Sequence, residues 1–336
     1  MIVAKQIFSL NEQGKRRNNE DNIYPPKGSA NTSDKLFIVC DGVGGETKGE
    51  VASEMVCTAI NQYISKQQLP LSDGHQTIEN AILFANSKLA EYITKDVAAE
   101  RMSTTLTLIL MNQQSVIAAW CGDTRIHHIR DGRVLWKSDD HSLVHELVRN
   151  GEISQAEART HPRRNVITRC LNGQNVNNKV DFHEITGCKA DDFFLLCTDG
   201  FLEQVDEQVL YEVLNDDQTT DKGKYFLQLC EGKTKDNFSM YLVKIAEATA
   251  AIDMEEANAE AEVPPVVPIF SKNRWRLALL AMIIGIACIT ILFIWRRKNG
   301  HISQEDANPQ ELIRKNSVTT LAAKPPFLYQ LSFIKT

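Results

Sequence analysis

Several aspartates stand where apolar runs begin or end. Asp41 follows Phe37-Ile38-Val39-Cys40 and precedes Gly42-Val43-Gly44-Gly45. Asp199 follows the run Phe193–Thr198 and precedes Gly200, and Asp123 follows Ala118-Ala119-Trp120-Cys121-Gly122. Asp21 closes Asn19-Glu20-Asp21, and Asp236-Asn237 leads into the last apolar run of the body. A carboxylate at a strand end lies on the rim of its sheet, and a glycine after it lets the backbone come close to a ligand. Carboxylates that converge without basic partners repel one another, and a divalent cation relieves that repulsion. Carboxylate, carbonyl and water oxygens suit Mg²⁺ or Mn²⁺. A lone Asp-Gly, such as Asp131-Gly132 or Asp73-Gly74, reads only as a turn.

The elements that must carry these groups are short β-like runs. They cover Ala4–Ser9, Leu36–Cys40, Thr104–Met111, Ser115–Cys121, Arg125–Ile129, Phe193–Thr198 and Phe238–Ile245. Asn112-Gln113-Gln114 separates two of them as a hairpin would. Apolar residues at helical spacing predict helices over Glu50–Ser65 and Thr77–Ile93. Hairpin-linked strands with helices between them predict an α+β fold with antiparallel sheets covered by helices, not a doubly wound parallel sheet.

The chain has 336 residues, 37 Lys+Arg and 43 Asp+Glu, for a net charge of −6. The charge is split. Residues 1–271 hold 27 basic and 40 acidic residues, while residues 272–336 hold 10 basic and 3 acidic. An acidic body excludes general nucleic-acid binding, which needs a basic surface. The eight cysteines include no C-x-x-C pair, and several sit inside apolar runs, so they read as small buried hydrophobes rather than zinc ligands.

Leu277–Trp295 runs 19 residues without a charge. At ~1.5 Å per residue it spans roughly 28 Å, close to a bilayer core of ~30 Å. Trp275 and Trp295 sit at its ends; Lys272, Arg274 and Arg276 precede it and Arg296, Arg297 and Lys298 follow it. A single transmembrane helix over 275–295 is therefore expected. The acidic, proline-containing stretch 246–274 reads as a linker and 296–336 as a basic, flexible tail. Met1–Leu10 contains no apolar signal-peptide core. The expected location is the inner membrane, single-pass, with residues 1–245 cytoplasmic.

The ordered motifs of residues 1–245 resemble the metal-dependent protein phosphatases of the type 2C (PPM) family, in their bacterial form. They are Arg16-x-x-Asn19-Glu20-Asp21, Asp41-Gly42-Val43-Gly44-Gly45 with Gly49-Glu50, Ser103-Thr104-Thr105, Gly122-Asp123-Thr124-Arg125, Asp140-His141-Ser142, His161–Arg169, Thr198-Asp199-Gly200 and Asp236-Asn237. The resemblance implies a four-layer αββα sandwich and Mn²⁺ or Mg²⁺ as cofactor, two ions with a site for a third. It implies that Asp41 bridges two ions and that Gly42 binds through its carbonyl. Asp199 and Asp236 would hold the first ion, Asp21 and Glu20 the second through waters, and Asp123 the third. Arg16 would bind the substrate phosphate. It further implies hydrolysis of phosphoserine and phosphothreonine on proteins by a water activated between the metals, with no covalent enzyme intermediate. The implied partners are phosphoproteins and an opposing Ser/Thr kinase. Loss of Asp41 or Asp199 would instead mark a non-catalytic phosphoprotein-binding module, and both are present.

Two departures stand out. Glu46 occupies a position where bacterial relatives carry His, so no general acid is assigned. Glu203 stands where many carry Asp, which bears on the third ion. His127 and His128 lie in a strand-like run and read as structural. His141, His161 and Arg169 read as residues that position the 140–169 region.

Overall fold

The computed structural model describes residues 2–43, 48–67, 71, 73–173, 179–246 and 333–334. The chain begins with β1 (Ala4–Glu12), β2 (Asp21–Tyr24) and β3 (Leu36–Val43), followed by the helices α1 (Gly49–Ile64) and α2 (Gly74–Lys95). Next come β4 (Ser103–Thr104), β5 (Leu106–Met111), β6 (Ser115–Cys121), β7 (Arg125–Arg130) and β8 (Arg133–Lys137). The short helices α3 (Leu143–Arg149) and α4 (Gln155–Thr160) lead to β9 (Val166–Ile167), β10 (Asp181–Thr186) and β11 (Phe193–Cys197). The helices α5 (Asp199–Leu202), α6 (Glu207–Asn215) and α7 (Lys222–Cys230) precede β12 (Phe238–Ile245), and β13 (Phe333–Ile334) is the last described element.

One sheet has the order β1-β12-β11-β7-β8. The other has the order β10-β6-β5-β3-β2, with β4 also pairing β3. Every pairing is antiparallel. Period-two alternation decides the layers. Phe37 and Val39 of β3, Phe194 and Leu196 of β11, and Tyr241 and Val243 of β12 meet in one core between the sheets. Their neighbours turn outward: Ile38 and Cys40 pack under α1 and α2, while Leu195 and Cys197 pack under α5–α7. The result is the expected sandwich of two antiparallel sheets flanked by helices. A fully buried Phe or Leu is worth roughly 1.5–3 kcal/mol, so these clusters hold the rim of both sheets rigidly.

The seven cysteines among the described residues are buried and unpaired. Burial pushes the Cys170 thiol up to about 12 and that of Cys230 up to about 11, as inert packing groups require. Asp131-Gly132 is a β7–β8 turn, with both residues at positive φ, whereas Asp73 caps α2 by accepting the Gln76 N–H. Among the described residues no helix is long and apolar enough to cross a membrane. The expected linker 246–274 (apart from Ala246), the helix over 275–295 and most of the tail 296–336 lie outside them. The exception is β13, which pairs β9 with Phe333 opposite Ile167 and Ile334 opposite Val166.

Candidate metal and phosphate site

The site grows from the β2–β3 pair, where Asp21 lies directly opposite Asp41. Both are buried. Asp41 is held by its backbone: its N–H donates to Thr105 Oγ1 (2.9 Å), and its carbonyl accepts the Thr105 N–H (2.9 Å) and the Thr104 hydroxyl (2.9 Å). The Ser103-Thr104-Thr105 motif thus clamps the aspartate rather than presenting a nucleophile. Thr198, at the end of β11, donates its hydroxyl to Asp21 Oδ2 (3.0 Å) and accepts the Ser239 N–H (3.0 Å). That hydroxyl ties the acidic rim of one sheet to the other.

Gly42 donates its N–H to the Glu20 carbonyl (3.0 Å), and the Ser53 hydroxyl from α1 reaches the same carbonyl (2.7 Å). A methyl group on Gly42 would lie 2.7 Å from that oxygen and closer still to the Gly49 carbonyl. Only glycine lets β3, the Glu20 turn and the start of α1 meet here.

Asn237 anchors the other flank. Its Oδ1 accepts the Glu20 N–H (2.9 Å), and its Nδ2 donates to the carbonyls of Gln13 (2.7 Å) and Asn18 (2.8 Å). This fixes the loop that carries Arg16. Arg16 grips Asp236 in a two-point fork, Nε to Oδ1 at 2.8 Å and Nη2 to Oδ2 at 2.7 Å. The Asp236 hydrogen bonds, opposed by partial burial and helped by the charges of Asp236, Glu20 and Asp41, raise the Arg16 pKa. Arg16 is therefore a fixed cation among the carboxylates.

Asp123 sits in a loop held by His141. The His141 N–H donates to the Gly122 carbonyl (2.8 Å), and the Gly122 N–H donates to His141 Nδ1 (3.1 Å). With Nδ1 accepting, the ring proton belongs on Nε2, which faces Asp181 Oδ2 at 3.1 Å. Burial, helped by the Arg169 charge, lowers the His141 pKa and keeps the ring neutral. Arg169 also pairs with Asp181 (3.1 Å), so it braces this joint, and Arg125 locks Asp140 with two bonds of 2.7 and 2.6 Å.

Asp123, Asp199 and Asp236 open on one cleft of about 1070 Å³, walled by α3–α4 on one side and the segment around Glu203–Gln208 on the other. Asp199 opens α5 rather than ending β11. Glu203 lines the same cleft and accepts the Lys235 N–H (3.0 Å). The carboxylates gathered here are hard oxygen donors and fit Mn²⁺ or Mg²⁺. Glu46 and the Gly44-Gly45 pair lie outside the described residues. A second cluster, His128, Cys188 and Asp192, has ligand atoms within 4.8 Å of one another. It is built otherwise: Asp192 is occupied by Arg130 (2.6 and 2.7 Å), the Lys189 N–H (2.9 Å) and His128 (2.9 Å), and burial pushes the Cys188 thiol up to about 11. It is a buried ion pair that ties β7 to the β10–β11 turn.

Two antiparallel sheets flanked by helices thus carry hard oxygen donors and an arginine fork at one rim. The chain belongs to the protein phosphatase 2C family, whose model matches residues 13–231; the family uses Mn²⁺ or Mg²⁺. It is 27% identical over 306 residues to the serine/threonine protein phosphatase PstP of Mycobacterium tuberculosis, a match covering 82% of this chain and 57% of PstP. It is 32% identical over 236 residues to the serine/threonine phosphatase stp of Listeria innocua, covering 68% of this chain and 91% of stp. The PstP catalytic domain solved with two manganese ions aligns at a TM-score of 0.62 and 27% identity over 74% of this chain and all of that one. Staphylococcus aureus Stp1 aligns at 0.64 and 28%, over 73% of this chain and 97% of Stp1.

Proposed function

We propose that this chain hydrolyses phosphoserine and phosphothreonine on proteins with Mn²⁺ or Mg²⁺, opposing a Ser/Thr kinase. The observation that carries the proposal is the opposition of Asp21 and Asp41 beside Arg16, with Asp123, Asp199 and Asp236 facing one cleft. Asp41 would serve both cations and the Gly42 carbonyl would add an oxygen ligand; Asp199 and Asp236 would complete the first, Asp21 and Glu20 would serve the second, and Asp123 would serve a third. When bound, the cations stabilise charge on the phosphoryl oxygens and lower the pKa of a coordinated water. The chain's own part is positional. Thr104 and Thr105 fix Asp41, Asn237 fixes the Arg16 loop, and His141 fixes the Asp123 loop. Arg16 spends Nε and one Nη2 hydrogen on Asp236, which leaves its Nη1 face to receive phosphate oxygens. Phosphate recognition is thereby linked to a metal-binding carboxylate. In the test, the purified chain turns over p-nitrophenyl phosphate and a phosphothreonine peptide with Mn²⁺. Activity that survives EDTA, or that is unchanged in Asp41→Asn, refutes the two-metal scheme.

Membrane anchoring through 275–295 rests on the uncharged run and its basic, Trp-bearing flanks. With the body cytoplasmic, a single crossing leaves the tail on the far side. The β9–β13 pairing favours a second reading, in which the C-terminus stays on the side of the body. Protease accessibility of a C-terminal tag in spheroplasts separates the two.

A further inference from the structure

The cleft that leaves the metal end is lined by charged groups of both signs, but their partners differ. Four of its acids beyond the metal end are engaged, and a fifth, the exposed Asp139, lies 3.7 Å from His145. Asp140 is held by Arg125 (2.6 Å), Glu207 by Lys137 (2.6 Å), Glu203 by the Lys235 N–H, and Asp206 caps α6 through the Gln208 and Val209 N–H groups. Four of its cations are not. Arg159 on α4 and Arg164 after it stand on one side, and Lys233 and Lys235 stand before β12. Among the described residues none of these four side chains has a carboxylate within 4 Å. All four are exposed, so they meet a partner without a large desolvation penalty.

We propose that this rim selects phosphopeptides with acidic residues flanking the phosphoresidue. The inference rests on the phosphatase reading above and adds a substrate class to it. An extended acidic peptide could place its phosphate at Arg16 and its neighbouring carboxylates against the four unpaired cations. The cleft is concave and continuous with Asp123, Asp199 and Asp236, which suits a chain segment; a flat anionic bilayer would not reach its floor. Each exposed pair contributes roughly a factor of 1.5–5, so several together give about a tenfold preference. The preference fades with salt, because the screening length falls to ~3 Å at 1 M.

The test uses the full chain with Mn²⁺ and compares kcat/KM on three phosphothreonine peptides, with Asp/Glu, Ala or Lys/Arg flanks, and p-nitrophenyl phosphate as reference. The acidic peptide is expected to lead the alanine peptide about tenfold at low salt, and the ratio is expected to fall to about one in Arg159→Glu/Arg164→Glu. Arg159→Gln/Arg164→Gln should fall between them, and Lys233→Glu tests the other side. Equal kcat/KM for all three peptides, with p-nitrophenyl phosphate still hydrolysed, overturns the cleft assignment alone. A preference that survives charge reversal also overturns it. Sedimentation with phosphatidylglycerol vesicles that is lost in the charge-reversed variant, without any peptide preference, would assign the rim to lipid instead. If neither p-nitrophenyl phosphate nor any peptide is hydrolysed, the phosphatase reading fails and this inference falls with it.

Discussion

Gly42→Ala is the sharpest probe of how the site is built. The added methyl would stand 2.7 Å from the Glu20 carbonyl oxygen and nearer to the Gly49 carbonyl, where ordinary contact begins at 3.4 Å. The Glu20 carbonyl must therefore yield by about 0.7 Å and Gly49 by more. Both obstacles are backbone and neither is loose. The Glu20 carbonyl accepts two hydrogen bonds, from Gly42 and Ser53, and Gly49 opens α1, whose inner face packs on β3. Overpacking of this kind costs roughly 1–3 kcal/mol. A shift near 1 Å between groups that must act together lowers turnover on the order of a hundredfold. Gly49→Ala is milder, since its methyl meets Gly42 C at 2.9 Å and the movable Glu20 carboxylate at 3.0 Å. Urea unfolding of the full chain and Mn²⁺-dependent p-nitrophenyl phosphate kinetics should both rank wild type above Gly49→Ala above Gly42→Ala. A Gly42→Ala protein with wild-type stability and a wild-type Mn²⁺ activation curve would refute the claim that close backbone approach shapes the site.

Burial, with help from Arg125 and Lys137, depresses the His127 pKa to about 4. The unfolded chain binds that proton near pH ~6.5, so stability is full above that pH and falls as pH drops towards 4, by about 3 kcal/mol in all. His127→Gln should flatten this limb, and equal slopes of unfolding free energy against pH in the two proteins would disprove it. Asn237→Ala leaves the Glu20 N–H and the Gln13 and Asn18 carbonyls without their shared partner, with an expected loss of roughly 1–3 kcal/mol. It should also raise KM for phosphopeptides, because the Arg16 loop loosens; an unchanged KM would argue that Arg16 is placed by Asp236 alone. Deleting 272–336 should move the protein from the membrane to the soluble fraction, and continued sedimentation with membranes would count against the anchor.

The strands with strong apolar alternation were legible as segments, because a buried strand writes its two faces into the chain. Leu36–Cys40 continues to Val43, since Asp41 and Gly42 belong to the ladder as well as to the site. β8 and β10 escaped notice because they are edge strands with much of their length exposed, as Lys137, His183 and Glu184 attest. α4 carried a usable signal, Ser154 three residues before Glu157, which the structure realises as a capping box. The site aspartates were legible from their places at the ends of apolar runs and from the family motifs. The roles of Thr105, Thr198 and Asn237 were not, because each acts through hydrogen bonds to residues 41 to 224 positions away.

By itself, the order of residues determined which groups could hold metal, which strongly apolar segments are strands, and which family the chain resembles. All of these are local: they depend on a side chain and its near neighbours. The tertiary structure decided which of those groups meet. It put Asp21 opposite Asp41 through strand register, drew the two sheets' acidic rims together through Thr198, and seated Arg16 on Asp236 across 220 positions. It also decided which cations remain for a partner, since ion pairing engages Arg125 and Lys137 and leaves Arg159, Arg164, Lys233 and Lys235. Pairing depends on distance in space, and sequence spacing carries that only where a helix or a hairpin converts one into the other.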